Sequence, residues 1–153
     1  MIASVSFEEP TTFNAPPYKF EAGTPHLSGV VGLGAAIDWL NGVGLEKVEA
    51  HERALIEYAS EKLSEIEGMR LIGTAPNKAS VVSFLVEGTH PSDIGTLLDG
   101  LGIAVRTGHH CTEPIMTKLC IPGTVRASFA AYSTFAEVDA LVAGVNRAAN
   151  MLR

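Results

Sequence analysis

Apolar and polar positions follow a helical period in some parts of the chain and form the short runs typical of strands in others. From Leu45 to Ile66, apolar residues recur at intervals of three, four or seven positions, and Glu, Lys and Arg fill the positions between them, which predicts an amphipathic helix. This helix is expected to end at Gly68. Apolar stretches that predict strands lie at 69–72, 80–87, 103–106 and 124–129.

Three further helices are predicted in the second half of the chain. One starts near Pro91, a residue favoured in a first helical turn, and a short one starts at Pro114. The last begins with Thr134-x-x-Glu137, a capping box in which each side chain bonds a free backbone N–H at the helix start. The resulting order is strand, strand, helix, strand, short helix, strand, helix. It predicts an α/β fold in which helices and sheet form a two-layer α+β sandwich.

The N-terminal region differs from the rest of the chain in its residue types and in its lack of a regular apolar pattern. Residues 8–17 contain three prolines and no sustained period, so we expect residues 1–25 to form an extended arm. Residues 27–40 are small and nearly apolar all round, which predicts a helix that is buried against a large partner. We therefore divide the chain into an arm at 1–25 and a domain with its linking helix at 26–153.

Composition and charge narrow the classes of function. With 46% hydrophobic and 18% charged residues, the 153-residue chain has the composition of one soluble globular domain. Eleven basic and seventeen acidic residues give a net charge of −6 and form no basic cluster, which argues against a nucleic-acid partner. No apolar run approaches the ~20 residues that span a bilayer, so no membrane partner is expected. Cys111 and Cys120 are expected to be reduced cytoplasmic thiols, with Cys120 buried in its apolar surroundings.

The residues with the strongest chemical signal form one loop, Arg106-Thr-Gly-His-His-Cys111. The loop follows a predicted strand and precedes a predicted helix, so Cys111 lies near a helix N-terminus. Arg106, His109 and His110 are within five positions of Cys111, and positive charge of this kind stabilises a thiolate. Two alternatives stay open at this point. One is a small buried thiol, as most free cysteines are, and the other is a metal site that includes Cys120.

Two arginines add a second type of chemistry. Strand alternation places Arg126 on the face opposite Val125 and Ala127. Arg106 is opposed to Val105 in the same way. Two guanidinium groups at strand ends near one cysteine suit the capture of a carboxylate, because each offers a planar fork of donors. A structural salt bridge or a solvated arginine is the alternative interpretation.

Three segments together resemble a known family: Phe20-Glu-Ala-Gly-Thr-Pro25, the Arg106–Cys111 loop and Arg126-Ala-Ser-Phe129. They resemble the C-terminal part of the group II cysteine desulfurases and selenocysteine lyases, a branch of the class V aminotransferase-like enzymes. The resemblance extends over the whole chain, and the Arg-Thr-Gly-His-His-Cys loop is specific to this branch. It implies the small C-terminal domain of a fold-type I pyridoxal-phosphate enzyme that supplies sulfur for iron–sulfur cluster assembly.

The resemblance also implies roles for individual residues. Cys111 matches the nucleophile whose thiolate takes sulfur from substrate cysteine and becomes a persulfide, with release of alanine. Arg126 matches the arginine that binds the substrate carboxylate, and Arg106 matches a second arginine of the same pocket. His109 and His110 flank the nucleophile and are candidates for tuning it. L-cysteine and L-selenocysteine are both candidate substrates, and a sulfur-acceptor protein is the expected partner.

The cofactor of this family is pyridoxal phosphate, and the resemblance implies that Gly23 and Thr24 reach its phosphate in the other subunit of a homodimer. The family's Schiff-base lysine follows a histidine, and no His-Lys pair occurs in this chain. We therefore expect a fragment of a larger enzyme that does not bind the cofactor or turn over cysteine alone. A natural persulfide carrier is the alternative function. A zinc or redox site at His109, His110 and Cys111 is a weaker one.

Overall fold

The computed structural model describes all 153 residues, which form two compact units, Met1–Gly42 and Val43–Arg153. The first unit holds a short antiparallel pair of strands, β1 (Ile2–Ser4) and β2 (Thr12–Phe13), and nearly all of helix α1 (Leu27–Val43). The strand pair lies within the region that the sequence predicts as an extended arm. Strands of two or three residues are too short for their alternation to be recognised in a sequence.

Helix α1 forms as predicted, but it buries none of its side chains in this structure. Its large apolar residues include Val31, which is 73% exposed, and Trp39, which is 56% exposed. The predicted burial is therefore not observed. An all-apolar pattern indicates that a helix can be buried, but burial also requires a second surface that covers the helix. No helix of the chain combines the length and hydropathy that a membrane span requires.

The second unit contains the remaining elements in the predicted order, and the α/β fold class is confirmed. They are α2 (Leu45–Ser64), β3 (Met69–Ile72), β4 (Val81–Val86), α3 (Pro91–Asp99), β5 (Arg106–Gly108), α4 (Glu113–Leu119), β6 (Thr124–Ser128) and α5 (Phe135–Leu152). The predicted end of α2 at Gly68 is too late. The helix ends at Ser64, and Gly68, with φ +70°, instead forms part of the turn into β3.

Four strands form one antiparallel sheet in the order β3-β4-β6-β5. Helices α2 and α3 contact the strands, and α5 packs against both of these helices, which gives the two-layer arrangement. Alternating side chains of β6 point in opposite directions. Val125 and Ala127 are buried in the helix-covered core, as predicted, whereas Arg126 lies on the other face.

The core lies between the sheet and the three long helices of this unit. Its fully buried side chains include Phe84, Leu63 and Leu98, and each contributes about 1.5–3 kcal/mol through removal of apolar surface from water. Helix α5 starts at the predicted capping box, in which Thr134 and Glu137 bond each other's backbone N–H. The packed helices thus hold one face of the sheet in place, and the side chains of the opposite face, Arg126 among them, are presented from a fixed backbone.

The predicted strand 103–106 is displaced in the structure, where β5 starts only at Arg106. The backbone N–H of Ile103 donates to the carbonyl of Leu98 at 3.0 Å, so this segment completes the turn after α3 and does not pair with β6. Ile103 and Val105 still pack against the core from this position. Their apolar character reflects that packing, which a sequence pattern does not distinguish from strand pairing.

Candidate active site

The Cys111 side chain belongs to the tight loop between β5 and α4, where the backbone is left-handed at two consecutive residues. The angle φ is +54° at His110 and +61° at Cys111, a conformation that costs a residue with a Cβ about 1–2 kcal/mol. The backbone N–H and the hydroxyl of Thr112 both donate to the carbonyl of His109, at 2.9 and 2.7 Å, and close the loop. Cys111 is exposed, so the alternative of a small buried thiol is wrong.

A close approach between two backbone segments fixes this loop against the start of β6. A Cβ placed on Gly123 would lie 2.9 Å from the carbonyl oxygen of Gly108 and 3.0 Å from its carbonyl carbon. Gly123 also has φ +144°, a conformation that L side chains rarely adopt. The missing side chain at Gly123 therefore allows the end of β5, and the loop that follows it, to lie directly against this segment.

We expect Gly123→Ala to lower the free energy of unfolding by about 2–4 kcal/mol, because the new methyl group meets backbone atoms that have no rotamer in which to move away. Gly73→Ala is the matched control, because Gly73 has φ +78° with nothing within 4 Å of its Cβ. The control reports conformational strain alone, about 1–2 kcal/mol. Urea unfolding of both variants measures the difference, and equal losses would contradict the collision.

Two arginines lie opposite each other on neighbouring strands, and one of them contacts Cys111. Arg106 of β5 and Arg126 of β6 are direct register partners, so both lie on the face away from the helices. The Nη2 atom of Arg106 is 3.9 Å from the Sγ atom of Cys111. The contact places a positively charged donor beside the cysteine sulfur.

Arg126 lacks the protein partner that a structural role would require. Its Nε atom is buried without a hydrogen-bond partner, and none of the chain's salt bridges involves Arg126 or Arg106. Like charges directly opposite each other in a sheet destabilise it. A carboxylate bound between the two guanidinium groups would remove the repulsion and accept bonds from the free donors. This geometry favours carboxylate capture over a structural salt bridge.

His110 is held against β6 through one of its ring nitrogens. Its Nε2 atom is 2.8 Å from the hydroxyl and 3.2 Å from the carbonyl oxygen of Thr124, while Nδ1 is buried without a partner. Burial lowers the pKa of His110 below its ordinary 6.5, and the positive charge of Arg126 lowers it further. Arg106 and His109 act in the same direction, and the backbone of Thr124 opposes them. The ring is therefore neutral at neutral pH.

This lowered pKa predicts a specific loss of stability in acid. The unfolded chain takes up a proton at His110 near pH 6.5, before the folded chain does, so the stabilisation is complete above 6.5 and is lost as the pH falls through the folded-state pKa. The difference in unfolding free energy between the wild type and His110→Gln should accordingly shrink on acidification. Chemical unfolding at a series of pH values measures it, and a difference that grows below pH 6.5 would show the opposite sign.

The remaining predicted site residues are exposed, and they lie in both units of the chain. His109 is exposed on the same loop, and Gly23 and Thr24 are exposed in the first unit, where Gly23 has φ +81°.

Cys120 is exposed, so the prediction that it is buried is wrong. It follows the last turn of α4 as the C-cap residue, in a left-handed conformation with φ +52°. No group of three or more His, Cys, Asp or Glu side chains is arranged to hold a metal ion, which argues against the zinc alternative.

One residue of the site, Thr124, was missed by sequence reasoning. It is buried, at 1% exposure, and it contacts His110 through two atoms. The available signal was strand alternation, which places Thr124 on the same face as Arg126, two positions away. A groove of about 720 Å³ in the second unit lies elsewhere, beside α2 and residues 74–78, and contains none of these site residues.

Known proteins share both the sequence and the fold of this chain. The family described as Aminotransferase class-V matches residues 1–141. A probable cysteine desulfurase of Xylella fastidiosa (strain 9a5c) is 47% identical over 152 residues, and one of Streptomyces coelicolor is 50% identical over 152 residues. These alignments cover 99% and 98% of the chain but 36% of each relative. The chain thus spans about a third of the length of the curated relatives that it matches.

Two solved cysteine desulfurases have the same fold over the whole chain. The Escherichia coli enzyme CsdA superimposes with a TM-score of 0.87 and 40% identity, and covers 100% of this chain and 38% of its own. The enzyme of Thermococcus onnurineus NA1 superimposes with a TM-score of 0.85 and 39% identity, and covers 99% and 38%. The chain belongs to the class-V aminotransferase family, in which it corresponds to the C-terminal portion of cysteine desulfurases similar to the group II enzymes.

Proposed function

We propose that this chain supplies the persulfide-forming and carboxylate-binding part of the active site of a cysteine desulfurase. The observation that carries the proposal is the 3.9 Å contact between Arg106 and the Cys111 sulfur, on the sheet face that also presents Arg126. The contact sets the cysteine sulfur beside one cation, with a second guanidinium free for a ligand. L-cysteine offers a matching pair of groups, a sulfur atom and a carboxylate.

In the proposed step, the Cys111 thiolate attacks the sulfur atom of the substrate L-cysteine. An S–S bond forms, the substrate's Cβ–Sγ bond breaks, and its electron pair stays on the carbon, which takes up a proton. The products are L-alanine and a persulfide on Cys111, with no external oxidant or reductant. Arg126 holds the substrate carboxylate through paired N–H donors, and Arg106 stabilises the negative sulfur before and after transfer. L-selenocysteine presents the same groups to these residues.

The class-V family depends on pyridoxal phosphate, which, when bound, supplies the electron sink for bond cleavage at the amino acid. The residues of this chain do not fit its covalent attachment. The lysines are Lys19, Lys47, Lys62, Lys78 and Lys118. Lys62 forms an ion pair with Glu65 at 2.9 Å, and Lys78 donates to Ser60 at 3.2 Å, so both are engaged away from Cys111. We assign the attachment of the cofactor to a part of the enzyme outside these 153 residues.

The remaining assignments are part of the same proposal. Gly23 and Thr24 offer a backbone N–H and a hydroxyl that suit a cofactor phosphate in the partner subunit of a homodimer. His110 and the exposed His109 flank Cys111 and are assigned to tuning it, and a sulfur-acceptor protein is assigned to take the sulfur from the exposed Cys111. Iron–sulfur cluster assembly in the cytoplasm is the proposed use of the sulfur, in keeping with two free thiols.

The test is a joined enzyme in which this chain replaces the matching 36% of the Streptomyces coelicolor relative. We expect the joined enzyme to release alanine from L-cysteine, and the chain alone, mixed with pyridoxal phosphate and L-cysteine, to release none. Visible absorbance of the bound cofactor is the control for correct assembly. Steady alanine release by the chain alone would contradict the proposal, as would a joined enzyme that binds the cofactor and releases no alanine.

A persulfide carrier is the second candidate function. It is favoured by the exposed Cys111 side chain, which a separate sulfur donor can reach directly. The carrier requires transfer of a sulfur atom to the isolated chain, so the two candidates differ in one observable. If an active cysteine desulfurase and L-cysteine add the mass of one sulfur atom to the Cys111 peptide, the chain can act as a carrier. If the joined enzyme alone forms the persulfide, only the first proposal holds.

A further inference from the structure

Thr124 is the only polar residue among the fully covered side chains of the molecule, and its position is unusual for a structural threonine. It is the first residue of β6 and lies on the same face as Arg126, away from the helix-covered core. Its register partner is Gly108, the residue that precedes the His109-His110-Cys111 segment. Thr124 is therefore buried under the active-site loop and not within the hydrophobic core.

The contacts of Thr124 converge on one ring atom. Its hydroxyl and its carbonyl oxygen lie 2.8 and 3.2 Å from Nε2 of His110. These are the hydrogen bonds of the His110 ring, because Nδ1 is buried without a partner. The imidazole is thus fixed at one nitrogen, and its other nitrogen is buried without a hydrogen-bond partner.

The ring in turn belongs to a strained backbone. His110 and Cys111 are consecutive left-handed residues, each at a cost of about 1–2 kcal/mol, and such a conformation persists only where the surroundings hold it. We propose that Thr124 is the positioning residue of the reactive cysteine: by holding the His110 ring, its hydroxyl keeps the backbone in the conformation that sets the Cys111 sulfur beside Arg106. The proposal rests on the proposed function only in treating Cys111 as the reactive group.

Two substitutions separate the hydroxyl from the bulk of the side chain. Thr124→Val has nearly the same shape and retains the carbonyl contact, but it removes the bond at 2.8 Å. Thr124→Ser retains the hydroxyl and removes a methyl group. A merely structural role predicts that serine is the worse replacement, because it leaves a small cavity. A positioning role predicts that serine rescues and valine does not.

The test is alkylation of the folded chain by iodoacetamide, with the Cys111 and Cys120 peptides quantified separately by mass spectrometry. Both thiols are exposed, so Cys120 serves as the internal reference in every sample. We expect Thr124→Val to lower the ratio of the Cys111 rate to the Cys120 rate roughly fivefold, the equivalent of about 1 kcal/mol for one hydrogen bond. The ratio in Thr124→Ser should stay within about twofold of the wild type.

An unchanged ratio in Thr124→Val would overturn the proposal, and so would an equal loss in Thr124→Ser. If Thr124→Val does not fold, nitrogen-15 spectra of the wild-type imidazoles decide instead: a single His110 tautomer supports the proposal, and a ring that averages two tautomers overturns it. No substrate, donor or cofactor enters these measurements. If the Thr124 variants change the alkylation ratio as expected but sulfur transfer fails, the proposed function is refuted and this inference stands.

Discussion

In the joined enzyme, we expect Cys111→Ser to abolish persulfide formation on this chain and Cys120→Ser to leave it unchanged. A hydroxyl oxygen does not form a persulfide, and the arginine contact to a cysteine sulfur is made at Cys111 and not at the exposed Cys120. The measurement is mass spectrometry of the two cysteine peptides of the joined enzyme after incubation with L-cysteine. The expected loss is complete in Cys111→Ser, with no sulfur moved to the Cys120 peptide.

Two controls make this result specific to the chemistry. The unfolding free energy of Cys111→Ser should stay within about 0.5 kcal/mol of the wild type, because the side chain is exposed. In the joined enzyme, Cys111→Ser should leave the absorbance of the bound cofactor intact and stop alanine release. Sulfur found on Cys120 at the wild-type level, or a persulfide lost in Cys120→Ser, would identify the wrong cysteine.

Local sequence patterns predicted the parts of the molecule that depend on local physics. The capping box at Thr134 and the alternation that separates Arg126 from Val125 are both read within five residues, and both are present in the structure. The Arg106–Cys111 loop was likewise recognisable, because its reactive side chains are close in sequence. The order of elements followed from such patterns, and with it the α/β fold.

The features that were missed depend on partners distant in the chain. Ile103 is apolar because it packs on the core, not because it pairs with a strand. Thr124 acquires its significance only when the loop closes over it, 14 positions from His110. Cys120 is predicted to be buried because its neighbours are apolar, but it is exposed at the C-cap of α4. The sequence indicates which residue types carry the proposed chemistry, and it does not indicate which distant residues position them.

Arg126→Gln in the joined enzyme should raise the KM for L-cysteine about 100-fold, the equivalent of about 3 kcal/mol for a lost charge-assisted pair with a carboxylate. The effect falls mainly on KM, because the carboxylate is held equally before and during sulfur transfer. Arg126→Lys should lie between the wild type and Arg126→Gln, since a lysine keeps the charge but not the planar fork of donors.

Arg70→Gln is the matched control for this prediction. Arg70 is an exposed arginine on the edge strand β3 of the same sheet, so its loss changes the net charge equally without touching the site. Steady-state kinetics should show KM within about twofold of the wild type for this variant. An equal rise in KM for both variants would indicate a general charge effect. A rise confined to Arg126 variants, with Arg126→Lys intermediate, follows only if the unpaired guanidinium binds the substrate carboxylate.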